Sequence, residues 1–200
     1  MKKITLIVSA LLFMFAAAVQ AHGPVRGKLT ATIEIDAPAD QVWAVIKNYH
    51  DMSWLPAVAS TKGEGDNKKG AIRVLALKNG GTITEKLKSY KEDKMSYKYK
   101  ITDMSTAKTI QHSGKEEKVP VLPVDNYQAT ITVKPKGNGS IVTWVATYYR
   151  AYMNNNPPAE MNEEAADEAV SKVFTEGLVN LRKKFQPDAD ESMVKIKIKR

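Results

Sequence analysis

Leu29, Ala31, Ile33 and Ile35 alternate with Thr30, Thr32 and Glu34, the pattern of a strand with one buried face. Pro38 suits a first helical turn, and Asp40 puts a negative charge near the positive end of the helix dipole. Val42, Val45, Ile46 and Tyr49 then recur at helical spacing, which predicts a helix over 38–49. Trp54-Leu55-Pro56 reads as a second short helix or turn that Pro56 helps end. Strand signals follow at 57–64, 72–78 and 82–90, separated by a polar turn at 65–70 and a hairpin turn at Asn79-Gly80-Gly81. Met95, Tyr97, Tyr99 and Ile101 alternate with Lys94, Ser96, Lys98 and Lys100. Residues 103–118 lose the period and carry mixed charge, so they read as a long loop. Tyr127, Ala129, Ile131 and Val133 restore it, and 141–152 is the longest strand.

Asn154-Asn155-Asn156-Pro157-Pro158 breaks the sheet. Met161, Ala165, Ala169, Val173, Gly177 and Leu181 then step by four, the stripe of a long amphipathic helix. Acidic residues fill its early turns and Arg182, Lys183 and Lys184 its end, which complements the dipole. The tail 187–200 closes on Lys195-Ile196-Lys197-Ile198-Lys199-Arg200. An added edge strand, a basic anchor and a disordered end are all open, and disorder is favoured because a terminal segment without a core face is usually mobile. One antiparallel sheet of about seven strands must bury its apolar face, and the long helix is its obvious cover. The fold class is α+β.

Residues 1–21 read as a secretory signal peptide: Lys2 and Lys3, an apolar run over 4–19, and small residues at Val19 and Ala21. Its removal would leave a mature chain from His22 and lower the net charge from +8 to +6. Export to a bacterial periplasm is the expected address. The chain has no cysteine, so its core rather than a disulfide framework must hold it. After the leader no apolar run is long enough for a membrane span. The lysines are scattered and the chain is exported, so nucleic acid is not expected as a partner; a solvated surface or a docking face for an acidic protein remain.

Motif chemistry is absent. No HExxH, GxSxG, P-loop or GxGxxG occurs, and no cofactor is implied. His22 would offer an amine and an imidazole after cleavage, and with His50 or His112 could bind copper, although nothing in the sequence brings these residues together.

The order of elements, with Ile-Glu-Ile-Asp-Ala-Pro-Ala-Asp-Gln-Val-Trp at 33–43, Trp54-Leu55-Pro56, Gly80-Gly81-Thr82-Ile83-Thr84-Glu85 and Val142-Thr143-Trp144, resembles the SRPBCC superfamily, START-like and polyketide cyclase-like. The resemblance implies a helix-grip fold over about 28–186: a curved sheet wrapped on the C-terminal helix, with an apolar cavity between them. The domain boundaries expected are 1–21 for the leader, 22–186 for the helix-grip domain and 187–200 for the tail. His22-Gly23-Pro24, Leu122-Pro123-Val124-Asp125-Asn126-Tyr127 and Asn156-Pro157-Pro158 are similar to the MxaD type of periplasmic protein. That similarity implies a non-catalytic accessory role in methanol oxidation, assisting methanol dehydrogenase and its coupling to an acidic cytochrome c acceptor. Two alternatives stand beside it: a carrier of a small apolar ligand, and a cyclase- or hydrolase-like enzyme.

If the cavity is open, Trp54, Tyr99, Tyr127, Trp144 and Tyr148 are candidates to line it, although ordinary core packing is the favoured reading for any single aromatic. Arg73 and Glu85 lie on adjacent predicted strands. They could orient a ligand inside the cavity, but a cross-strand surface ion pair is the favoured reading. A carboxylate beside an arginine is also expected to stay ionised, which suits a general acid poorly.

Overall fold

The computed structural model describes residues 23–200. The leader and His22 lie outside the described residues. The described residues build ten strands and two α-helices: β1 (Gly27–Ile35), α1 (Ala39–Ile46), β2 (Val58–Glu64), β3 (Ile72–Leu77), β4 (Thr82–Lys91), β5 (Ser96–Met104), β6 (Thr106–His112), β7 (Lys115–Pro120), β8 (Val124–Lys136), β9 (Gly139–Arg150), α2 (Glu163–Lys183) and β10 (Lys195–Lys199). Eight strands form one antiparallel sheet in the order β10-β1-β9-β8-β5-β4-β3-β2. Strands β6 and β7 form a separate two-stranded ribbon. The architecture is the α+β helix grip, with one sheet closing on a long C-terminal helix.

Alternation sets the faces. In β1 every second residue from Gly27 to Ile35 is buried, and β9 pairs with β1 so that Ala31 faces Trp144 and Ile33 faces Val142. The inward residues of β8 and β9 continue that face with Ala129, Ile131, Val133, Trp144 and Ala146. Helix α2 packs Ala166, Val170, Phe174 and Leu178 against it. Phe174 stacks on Trp144 with ring centroids 3.9 Å apart. Asn162 caps the helix, its side chain accepting from the Ala165 N–H at 2.8 Å, and so satisfies one orphan donor of the first turn. At the other end Arg182 donates to the Glu34 carbonyl, and the Gln186 side chain accepts from the Asp36 N–H and donates to the Asp36 carboxylate. Both ends of the helix are therefore fastened.

Curvature comes from interrupted register. The pairing shifts at Thr84/Glu85 and Leu87/Ser89 between β4 and β5, and at Asp125/Gln128 between β8 and β9. Such bulges bend a strand and redirect the side chain beside them. One of those side chains is Glu85.

Two expectations are corrected. The long loop over 103–118 is the β6–β7 hairpin, which turns at Ser113 and Gly114, both with positive φ. Its residues are mostly exposed on both faces, so no amphipathic period marks them. The tail is not disordered: β10 pairs antiparallel with β1 from Lys28↔Lys199 to Thr32↔Lys195. All five of its residues are exposed, so backbone pairing rather than core burial holds it, with Arg200 bonded to the Asp167 carboxylate on α2.

Candidate functional site

A cavity of about 350 Å³ opens between α2 and the β3–β5 part of the sheet. That is within the range of small-molecule sites. Leu75, Leu77, Ile83 and Ile101 come from the sheet, Met52, Leu55 and Val58 from the turn after α1 and the start of β2, Val121 and Leu122 from the link after β7, and Val173 from α2. The sequence explains why this part of the helix leaves space. Its inward residues here are Ala169 and Val173, too small to reach the sheet, whereas the missing side chain of Gly177 lets the helix pack closely on Leu55 and Trp144. A Cβ on Gly177 would come within 2.7 Å of the Leu55 side chain and 3.1 Å of the Trp144 ring.

Polar groups enter this apolar wall at few points. Glu85, Tyr99 and Tyr127 line it, with Trp144 at its floor. Arg73 stands behind Glu85, outside the lining. Arg73 and Glu85 are directly opposed across β3 and β4, and the Arg73 Nε donates to Glu85 Oε2 at 2.6 Å. The guanidinium also donates to the Tyr49 carbonyl, and its carbon lies 4.1 Å from the Tyr49 ring centroid and 5.0 Å from that of Tyr99. The pair is buried, with Arg73 at 0 % and Glu85 at 5 % exposure, which overturns the surface reading. The alternation explains the burial. Arg73 shares its strand face with Leu75, and Glu85 shares its own with Ile83 and Leu87.

Burial sets the electrostatics. It pushes the Glu85 carboxyl above the ordinary carboxylate range, and Arg73 pulls against that rise. Desolvation therefore outweighs the pairing with Arg73 in setting the direction of that shift. Desolvation works against the charge on Arg73, the Glu85 carboxylate opposes that effect, and Arg73 remains protonated. Burial likewise raises the Tyr99 and Tyr127 phenols, so both keep their protons at neutral pH. Tyr99 accepts from the Trp144 indole N–H at 3.0 Å, which leaves its own O–H free to donate. Arg73 Nη2 and the Tyr49 hydroxyl are buried without a hydrogen-bond partner among the described residues. Buried donors without partners mark places where water or a ligand completes the network.

Of the sequence-derived candidates, Glu85, Tyr99, Tyr127 and Trp144 meet at the cavity, and Arg73 supports Glu85. Trp54 and Tyr148 do not line it. Trp54 packs on Trp144 at 5.3 Å, with its carbonyl held by Asn180. Tyr148 stacks on Tyr127 and donates to Asp167 at 2.7 Å. Sequence reasoning missed the apolar wall and the polar mouth formed by Lys78, Asn79, Lys172 and Glu176. The only signal for Lys172 and Glu176 was their place beside Val173 on the helix.

Among the described residues no three His, Cys, Asp or Glu side chains converge as metal ligands. His50 packs over Gly63 with Nε2 at 3.1 Å from the Asp66 carbonyl, and His112 sits on the β6–β7 hairpin against Tyr152 and Asn156. Among the described residues no helix is long and apolar enough to cross a membrane.

Sheet, gripping helix and enclosed cavity define a helix-grip protein of the SRPBCC superfamily. The chain belongs to the family described as polyketide cyclase / dehydrase and lipid transport, whose model matches residues 26–186. Among similar solved structures, the protein XoxI from Bacillus cereus is 28% identical with a TM-score of 0.61, over 79% of this chain and 94% of that one. A protein from Nitrosospira multiformis is 24% identical with a TM-score of 0.57, over 80% and 96%. A truncated norcoclaurine synthase from Thalictrum flavum is 18% identical with a TM-score of 0.54, over 82% and 96%. The last two share the fold alone. No curated protein gives a significant sequence match.

Proposed function

We propose that this protein binds a small, largely apolar molecule carrying one hydrogen-bond donor that meets Glu85. The observation that carries this reading is an apolar cavity of about 350 Å³ with a single buried carboxyl in its wall. An isolated polar group in such a wall adds little affinity for hydrocarbon, but it fixes which end of a ligand enters first. Arg73 and the bulge at Thr84/Glu85 hold that carboxyl in place. The test is native mass spectrometry of the gently purified protein, followed by titration with neutral aromatic probes read through tryptophan fluorescence. A bound small molecule, or saturable quenching that is weakened in Glu85→Gln, supports the reading. A chain that neither carries nor takes up any apolar molecule refutes it.

A second reading has its own observation. Strand β10 adds Lys195, Lys197 and Lys199 to the sheet edge, with Lys28 opposite Lys199. Lys28, Lys197 and Lys199 make no ion pair among the described residues. Like charges placed across a strand pair repel, so this edge suits an acidic partner. Together with the leader at 1–21 and the MxaD-type similarity, it supports a periplasmic accessory role beside methanol dehydrogenase and its cytochrome c acceptor. Binding to either at low salt, lost at high salt and in a Lys195→Glu/Lys197→Glu/Lys199→Glu variant, is the expected result. No binding at low salt rejects it.

A further inference from the structure

We propose that the cavity mouth is an anion subsite, so that the ligand is amphipathic, with an apolar body inside and one compact anionic group held between Lys78 and Lys172. This deepens, and rests on, the reading of the cavity as a ligand site. The two lysines reach the mouth from different elements. Lys78 follows β3 at the Asn79-Gly80-Gly81 turn, and Lys172 lies in the middle of α2. Both line the cavity together with Leu77 and Val173, where its apolar wall meets solvent. Neither makes an ion pair among the described residues.

Glu176 is the one carboxylate that lines the mouth with them; Glu168 and Glu191 share a neighbouring surface groove with Lys172 and Glu176 and do not line the cavity. Glu176 stands four residues after Lys172 on the same helix, and no ion pair joins the two. Lysine before glutamate is the weaker order for such a helical pair. The lining of the mouth therefore carries two lysines and one carboxylate. The interior offers an acceptor instead, the Glu85 carboxyl in the wall with Arg73 paired behind it. A ligand whose donor end goes inward and whose anionic end stays at the rim satisfies both, and a reversed ligand would set its anion against Glu85. Lysine stems also cover apolar surface while their heads stay in water, so the same residues could merely shield the rim. The two roles differ in what they discriminate. Shielding favours every apolar ligand, whereas an anion subsite favours only charged ones.

The test uses two fluorescent probes with the same ring system: 1-anilinonaphthalene-8-sulfonate, which carries an anion, and N-phenyl-1-naphthylamine, which does not. In Lys78→Ala/Lys172→Ala the sulfonate should bind about tenfold more weakly, the neutral probe should change less than about twofold, and salt should weaken only the sulfonate. Glu176→Gln should tighten the sulfonate alone. Val173→Phe, which narrows the cavity, should weaken both probes and so shows that they bind there. Equal loss of both probes in the lysine variant, or no loss of the sulfonate, overturns the anion subsite while leaving the cavity reading intact. Failure of both probes to bind the unaltered protein overturns the two together.

Discussion

Removing Arg73 should cost far more than its one carboxylate contact implies. Arg73→Met keeps most of the side-chain volume but strips Glu85 of its partner at 2.6 Å, leaves the Tyr49 carbonyl without its donor, and removes the cation facing the Tyr49 and Tyr99 rings. The carboxyl left behind is 5 % exposed. Breaking a buried pair from one side costs about 3–5 kcal/mol, because the remaining charge has no compensation. With a urea slope of about 2 kcal/mol/M, the unfolding midpoint should fall by about 1.5–2.5 M. Arg73→Met/Glu85→Leu removes both charges, and replacing a buried pair by apolar side chains is often neutral or stabilising, so it should recover most of that loss. The single variant should also depend on pH. Glu85 already titrates above the ordinary range, and without Arg73 it must rise further. A carboxyl whose folded pKa stands above its unfolded one contributes stability below its unfolded pKa and loses it as pH rises through the folded value. Arg73→Met should therefore be more stable at about pH 5 than at about pH 8. Urea titration followed by tryptophan fluorescence at both pH values measures all of this. A loss below about 1 kcal/mol, as at an exposed pair, or a double variant as unstable as the two single losses added, would refute the reasoning.

Gly177→Ala sets a gain of about 1 kcal/mol in helix propensity against a contact of 2.7 Å with the end of the Leu55 side chain. Leu55 lines the cavity and can turn into it, so stability measured by urea should change little while probe affinity falls. Glu92 is held below its ordinary value of 4.5, chiefly by the Tyr90 hydroxyl and then by the Trp43 indole N–H. Its contribution is present above that value and lost as pH falls, so Tyr90→Phe should flatten the acid limb of a thermal-stability profile. Deleting residues 195–200 removes edge pairing and the partly exposed Arg200–Asp167 pair but no buried side chain of the core. The truncated chain should lose only a few degrees of melting temperature by calorimetry, and collapse of the fold would contradict that account.

Much of the sheet was legible because one buried face imposes a period of two. Strand β1 and the paired stretches of β5, β8 and β9 all carry it, and the step of four along α2 is equally plain. Where both faces meet solvent, as in β6, β7 and β10, burial writes no pattern. A trace remained in each case: the Ser113-Gly114 turn, and the Lys-Ile alternation of the tail. The Arg73–Glu85 pair was misjudged for a different reason. Charge argued for solvent, while parity with Leu75, Ile83 and Leu87 argued for the core, and parity was right.

The sequence by itself determined the alternation, the amphipathic helix and the family resemblance, because these depend on neighbours along the chain. It also offered Tyr99, Tyr127 and Trp144 as cavity candidates, while favouring a surface place for Glu85. Only the tertiary structure decided that α2 leaves a cavity beside the small side chains of Ala169 and Val173 and closes on Leu55 and Trp144 at Gly177. Only it brought Lys78 to the same opening as Lys172, and set Trp54 and Tyr148 outside the lining. The physical reason is that a cavity is defined by what two distant elements fail to fill. No local period records that space; it depends on the register, the bulges and the helix position together.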